Sequence, residues 1–505
     1  MNTNCKKGGN CLNENCNASA LQNDDCTGNA NFYPSIFNDV LSPVTQGPSS
    51  SNTVGPYRIG KLARDMVHGK IIYVEFEMSE KGGFKDTFFS MDSDKGLLSG
   101  LLGKDIINDD LNEIYKIAEQ EGLKYNFLFS DRIPRIPSEV GELRIVSDLN
   151  EKLTLTGISL GGGEILITEV NGEKTNITGR EEIGFKPSGF SGERILHSVY
   201  PFNMKKDAKP PFTNSEELLF YASRPENAGR PLYEIAIDYE TSVTECSRKD
   251  VLLIAEKMLD IQYEAIEKGY EEGIKFDGIT TAKAAGIKKR LRGDFKNAES
   301  QNGEADNYKR LIPNGITDEA GLDALSLMEY SNSHGIICCM PTGGATGIIP
   351  AAIKGASKAI GLTRKEEVEA LIVSGLIGLF YYESHYSGSL GCQAEVGIAT
   401  SMAAGALCSM LTNDVDRVET ASVLAMECLL GQVCDPILGY VQIPCFIRNV
   451  SSVSIAITCA NYGILGLDAG VSLDEISKAV IRVGEGLRSI RLNDQGICAC
   501  KPKEK

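Results

Sequence analysis

An α+β domain followed by an all-α domain is what this 505-residue sequence predicts, and three observations carry that reading. Runs rich in β-branched and aromatic residues occupy the first two hundred positions. Capped segments with an apolar stripe fill nearly everything beyond residue 247. Between them lies a stretch holding Pro201, Pro210 and Pro211. At roughly 100–200 residues per domain, the length accommodates two to four domains.

Residues 1–34 contain nine Asn and four Cys (Cys5, Cys11, Cys16, Cys26) and little apolar material, which predicts a disordered extension. The spacing of these cysteines matches no common zinc or ferredoxin pattern. Residues 35–200 predict the α+β domain. IIYVEFEM at 71–78 reads as a strand. LTLT at 153–156 and ILIT at 165–168 flank Gly161-Gly162-Gly163, the signature of a hairpin or bulge. Residues 112–121 have helical character. Residues 201–246 predict a linker, and 247–495 an all-helical domain. There, Ser247-Arg248-Lys249-Asp250 starts a helix that puts Ile254, Met258, Ile261 and Ala265 on one face. Ser472-Leu473-Asp474-Glu475 is a capping box ahead of a helix running to about residue 490. Residues 496–505 form a tail.

Lys and Arg number 51 against 68 Asp and Glu, leaving a charge of −17. Neutralising phosphates requires clustered Lys and Arg, so nucleic acid is excluded as a partner and anionic membrane surfaces are disfavoured. The longest uncharged stretches, 396–413 and 450–467, are broken by Ser, Thr or Asn and predict core helices rather than membrane spans. No apolar secretory core opens the chain. Fifteen cysteines, an odd number, predict a reduced, cytoplasmic protein without a disulfide framework. Four histidines limit what imidazole chemistry can contribute.

Three segments carry candidate chemistry. Cys392 is followed 42 residues later by Cys434 and 11 further on by Cys445, each within two residues of Gly or Pro and hence at a turn. Spacing alone leaves a three-cysteine metal site and simple turn thiols both open. Cys408, Cys428 and Cys459 lie in apolar helical runs, where cysteine is usually a small buried hydrophobe. PTGGATGIIP at 341–350 places glycines ahead of an apolar helix, exposing backbone N–H groups that suit a carboxylate or phosphate. A tight interhelical turn would look the same. GPSSSNTVGP at 47–56 strings hydroxyl and amide side chains between Gly-Pro pairs, as a grip for a small polar ligand or as an exposed Ser-rich loop. His334, just before Cys338-Cys339, reads as a core residue.

Together with SLGGGEI at 159–165, PFTNSEELLFYAS at 211–223, GCQAEVGIATSMAAG at 391–405 and CDPILGYVQIPCFIRN at 434–449, these segments resemble the iron–sulfur-dependent L-serine dehydratase (L-serine ammonia-lyase) family in its single-chain form. The resemblance spans roughly residues 45–490. It implies that Cys392, Cys434 and Cys445 hold a [4Fe–4S] cluster with one iron open to substrate as a Lewis acid. L-Serine would lose water by β-elimination and yield pyruvate and ammonia. Ser49, Ser50, Ser51, Asn52 and Thr53 on one domain, and Thr342, Gly343, Gly344 and Ala345 on the other, would bind the substrate. The family also implies a homodimer.

Three departures stand out. Asn52 replaces the family's His, and Gly343 its Asn. SHYSGSLG at 384–391 precedes Cys392 where the family has a different, Gly-rich stretch. The expected catalytic pair is therefore Asn52 and His385, with His385 as general base or carboxylate partner. The resemblance also offers Cys498 and Cys500 as a resting-state plug at the open iron, with an unattached tail as the other reading. Other readings on the same fold are L-threonine, L-cysteine or another small β-substituted acid as substrate, or a non-catalytic iron or redox sensor. A pyridoxal phosphate lyase rests on the Gly-rich turn alone.

Overall fold

The computed structural model describes residues 32–134, 139–291, 312, 314–435 and 437–491. The extension to residue 31 with its four cysteines, and the tail with Cys498 and Cys500, lie outside them. The architecture is a β-rich N-terminal region followed by a mostly helical C-terminal region.

The first described residues pack in the helical region. Ser35 caps a five-residue helical turn, its Oγ accepting the N–H groups of Phe37 and Asn38. Ile36, Phe37, Val40 and Leu41 are fully buried in the helical core. Glu240 accepts hydrogen bonds from Ser35 Oγ (2.6 Å) and the Ile36 N–H (2.8 Å). Strand β1 (Val44–Gln46) then pairs antiparallel with β10 (Ile336–Cys338), Val44 lying opposite Cys338. This ladder stitches residues 44–46 to the second region.

Helix α1 (Gly55–Asp65) follows, and then the six-stranded sheet of β2 (Ile71–Ser79), β3 (Lys124–Ser130), β4 (Val140–Ser147), β5 (Lys152–Gly161), β6 (Glu164–Val170) and β7 (Glu173–Ile177). Strand order is β3-β2-β4-β5-β6-β7. Only β2 and β3 run parallel, because α2 (Ser93–Leu101) and α3 (Ile114–Gln120) supply the long crossover that parallel strands need. Val74, Phe76, Leu143, Ile145, Leu155 and Ile167 point to one face and are buried beneath α1 and α2. The helices touch backbone to backbone: a Cβ on Gly60 would lie 2.5 Å from the Leu97 carbonyl oxygen. The opposite face of the sheet carries an Arg132–Arg144–Glu77–Glu142 ion lattice. A short β8 (Ile183–Phe185)–β9 (Arg194–Leu196) ladder closes the region.

Residues 201–246 are not simply a linker. They hold α4 (Ser215–Ser223) and α5 (Leu232–Val243), which bury Leu218, Leu232, Ile235 and Val243 in the helical core. The prolines flank these helices rather than dissolving them, Pro231 serving as a start signal. The rest comprises α6 (Arg248–Gly269), α7 (Ala284–Leu291), α8 (Ile316–Asn332), α9 (Ile348–Ile360), α10 (Arg364–Leu379), α11 (Val396–Ser409), α12 (Val415–Glu427), α13 (Cys445–Leu465) and α14 (Leu473–Arg491). The helix start expected at Ser247 is a capping box with Asp250, and Ser472 Oγ accepts the Glu475 N–H. Among the described residues no helix is long and apolar enough to cross a membrane.

Candidate active site

A small cavity lies where the two regions meet, with about 60 Å³ of room. That is several times what one water needs and suits a small metabolite. Ser49, Ser51 and Asn52 line it from the N-terminal motif, Gly344 from the Gly-rich turn, and Cys392, Cys434 and Cys445 from the helical region.

The N-terminal loop is held rigidly. Ser49 Oγ accepts the Asn52 N–H at 3.1 Å, closing the turn that leads into α1. Thr87 Oγ1 donates to Asn52 Oδ1 at 2.7 Å. The Asn52 amide is thereby fixed, its Nδ2 donating to Ser51 Oγ at 3.3 Å and keeping one further N–H to donate. Ser159, from the SLGGGEI motif, donates to the Ser51 carbonyl at 2.7 Å. Ser50 turns away, toward the buried Cys339 thiol. Thr53 donates to the Met91 carbonyl, so its hydroxyl serves the loop rather than the cavity.

The Gly-rich turn packs directly on this loop. A Cβ on Gly343 would lie 2.6 Å from the Pro48 carbonyl oxygen, so the Gly that replaces the family's Asn is required by close approach. Asn449 ties the turn to α13: its Nδ2 donates to the Gly344 and Cys445 carbonyls and its Oδ1 accepts the Gly347 N–H. Thr342 Oγ1 is buried without a hydrogen-bond partner among the described residues and sits beside Gly344. Thr342, Gly343 and Ala345 support the turn; of the four expected there, Gly344 alone lines the cavity.

Gln393 positions the cysteine loops. It donates to the Leu390 and Val480 carbonyls and accepts the Gly431 N–H, riveting the segment around Cys392 to the one before Cys434. Cys445 opens α13. One turn on, Arg448 pairs with Asp435 at 3.0 Å and donates to the Val433 carbonyl. Burial, and then the neighbouring Cys392 and Cys434, push the Cys445 thiol well above its ordinary range. Burial does the same to Cys392, against the pull of Arg448. The Glu395 carboxylate lies in the same space, within 3.6 Å of a Cβ built on Gly344 and 3.0 Å of one built on Gly388.

His385 is placed elsewhere. It lies 6% exposed behind the cavity wall, its Nδ1 2.6 Å from Glu164 Oε2. Glu164 also accepts from Arg180 and Tyr382, and Arg180 pairs with Asp39. Burial lowers the His385 pKa, but the Glu164 carboxylate outweighs it and the net shift is upward. His385 and Tyr386 both adopt left-handed backbone, and the Gly161 turn packs against the His385 carbonyl. The network therefore braces the 384–391 loop, from which Ser387, Gly388 and Ser389 do line the cavity. His334 is also structural, bonded to Asp92 at 2.7 Å.

Among the described residues no three His, Cys, Asp or Glu side chains converge on a point that would hold a single metal ion. Three thiols around one cavity are a different donor set. Soft ligands spread over a space larger than one ion fit a multi-iron cluster, each cysteine taking its own iron.

Residues 227–499, which contain all three cysteines and the Gly-rich turn, match the family model described as serine dehydratase alpha chain. The chain belongs to that family. The L-serine dehydratase of Haemophilus influenzae is 26% identical over 470 residues, spanning 90% of this chain and 96% of that one. L-serine dehydratase 2 of Escherichia coli K12 is 26% identical over 474 residues, spanning 88% and 93%. The probable L-serine dehydratase alpha chain of Bacillus subtilis is 28% identical over 272 residues, 53% of this chain and 86% of that one. The full-length relatives mark this family member as the single-chain type.

Sequence reading missed Thr87, Glu395 and Arg448. The last two were findable: Glu395 is three residues after Cys392, and Arg448 lies one helical turn past Cys445. Thr87, in the run FKDTFF, carries no local signal.

Proposed function

We propose that this protein converts L-serine to pyruvate and ammonia, with Cys392, Cys434 and Cys445 holding a [4Fe–4S] cluster. One observation carries the reading: the three thiols share a single small cavity with Ser49, Ser51, Asn52 and Gly344. The cluster, when bound, supplies a Lewis acid for the substrate hydroxyl and carboxylate. The chain's own groups do the rest. The Asn52 NH₂ and the Ser49 and Ser51 hydroxyls donate hydrogen bonds to the substrate carboxylate. The turn around Gly344 bounds the opposite wall. Asn52 has no basic lone pair and binds without moving a proton. Glu395 is the group placed to take the α-proton on a carboxylate oxygen. His385 acts as a positioning residue through the 384–391 loop. Loss of the β-hydroxyl leaves aminoacrylate, which tautomerises and hydrolyses to products. The active form is a cytoplasmic homodimer.

Anaerobically purified protein tests this with a panel of L-serine, L-threonine and L-cysteine, read as keto acid and sulfide. L-Serine should give the fastest keto acid release, and Glu395→Gln should abolish it while keeping its iron. Iron-replete protein that forms no product from any of the three contradicts the reading.

A further inference from the structure

Helices α12 and α13 cross without room for side chains between them. A Cβ on Gly463 would lie 3.1 Å from the Cβ of Ala421 and 3.2 Å from its Cα. A contact between such small residues brings the two backbones close together. Beside this crossing, Cys428 ends α12 and Cys459 sits within α13, and their thiols are in side-chain contact. Cys428 is exposed, unlike the core thiol its sequence surroundings suggested, whereas Cys459 is buried. Neither sulfur faces the candidate active site. Cys428 lies two turns past Ala421 and Cys459 one turn before Gly463, so both fall on the faces by which the two helices meet.

We propose that Cys428 and Cys459 are a modification site, forming a reversible disulfide with a low-molecular-weight disulfide as oxidant. The exposed Cys428 thiolate attacks one sulfur of the oxidant and forms a mixed disulfide. One small thiolate leaves and takes up the proton that Cys428 lost. Cys459 then gives up its proton and attacks Cys428 Sγ, expelling the second small thiol. Two cysteine thiols are oxidised by two electrons and one small disulfide is reduced to two thiols, so atoms and electrons balance. Burial, followed by the neighbouring Cys428, pushes the Cys459 thiol up to about 12, so the exposed Cys428 is the first attacker. The bridge would close the segment 428–459, which carries both Cys434 and Cys445. Only that consequence rests on the cluster reading; the thiol pair does not.

The test treats the full-length protein with oxidised glutathione under nitrogen, alkylates all remaining thiols, and maps peptides by tandem mass spectrometry. The expected product joins Cys428 to Cys459, two hydrogens lighter than the separate peptides, and reverts with dithiothreitol. Cys428→Ser and Cys459→Ala should each lose that species, and Cys459→Ala should accumulate glutathione on Cys428. Since Cys428 is exposed, its serine variant folds and serves as the control. If wild-type protein keeps a stable glutathione adduct on Cys428 with Cys459 alkylated, the proposal is overturned. Recovery of both as alkylated thiols overturns it too.

Discussion

Replacing Glu164 by Gln keeps the shape of a buried carboxylate and removes its charge. Glu164 accepts from Arg180 Nη2 (2.7 Å), Tyr382 Oη (2.7 Å) and His385 Nδ1 (2.6 Å). Burial alone would raise its pKa, yet His385 and Arg180 together hold it far below the usual carboxylate range. Arg180 keeps Asp39 in the variant, but His385 loses its anionic partner. Removing one member of a buried ion pair typically costs about 3–5 kcal/mol. For a unit of 150–250 residues each kcal/mol is roughly 2–4 °C of melting temperature, so E164Q should melt roughly 6–20 °C lower. The sign with pH follows from the two shifts. Glu164, with its pKa lowered, stabilises above its unfolded value of about 4.3, and the gain fades as pH falls. His385, with its pKa raised, stabilises below its unfolded value of about 6.5, and the gain fades as pH rises through the folded value. The gap between wild type and E164Q should therefore be widest between about pH 5 and 6.5 and narrow on either side. Circular dichroism melts of anaerobic protein at pH 6 and pH 9 read it. Equal melting temperatures at pH 6 would falsify the network as a stabilising brace.

Asn52→Ala removes a donor expected to face a substrate carboxylate, an interaction of about 1.5–3 kcal/mol, so kcat/KM for L-serine should fall roughly tenfold to a hundredfold. Gly343→Ala drives a methyl to 2.6 Å from the Pro48 carbonyl, and urea unfolding should show a loss of about 1–3 kcal/mol. Gly344→Ala meets nothing nearer than 3.6 Å, so stability should stay within about 0.5 kcal/mol while KM rises because the methyl enters the cavity. Cys445→Ser should lower iron and sulfide content after anaerobic purification, since a serine hydroxyl is a poor substitute for a thiolate; unchanged content would remove Cys445 from the ligand set.

The local pattern forecast much of the fold. β2, the β5–β6 hairpin at Gly161–Gly163, α3, and the starts of α6 and α14 all follow from alternation, turn glycines and capping residues. What escaped was non-local. Residues 35–46 look like an ordinary approach to the first domain, yet they dock in the second through Ile36, Phe37 and Glu240, partners some two hundred residues apart. The prolines of 201–246 suggested a linker, and burial of Leu218 and Ile235 made helices of its second half. At the site, Ser49, Ser51, Asn52, Gly344 and the three cysteines do meet in one cavity. Ser50 and Thr53 share the same motif, but their side chains turn to Cys339 and to the Met91 carbonyl. His385 was attractive because of its place beside Cys392 in sequence. Its pairing with Glu164, 221 residues away, assigns it to the loop instead.

The central claim is that one cavity joins three thiols to a serine-binding loop. Its most direct test is pyruvate release from L-serine by anaerobically purified protein, with iron and sulfide assayed on the same sample. The account predicts pyruvate and ammonia in equal amounts, at a rate proportional to cluster content across partly loaded preparations. Pyruvate formation that is independent of iron content, or its absence in fully loaded protein, would contradict it.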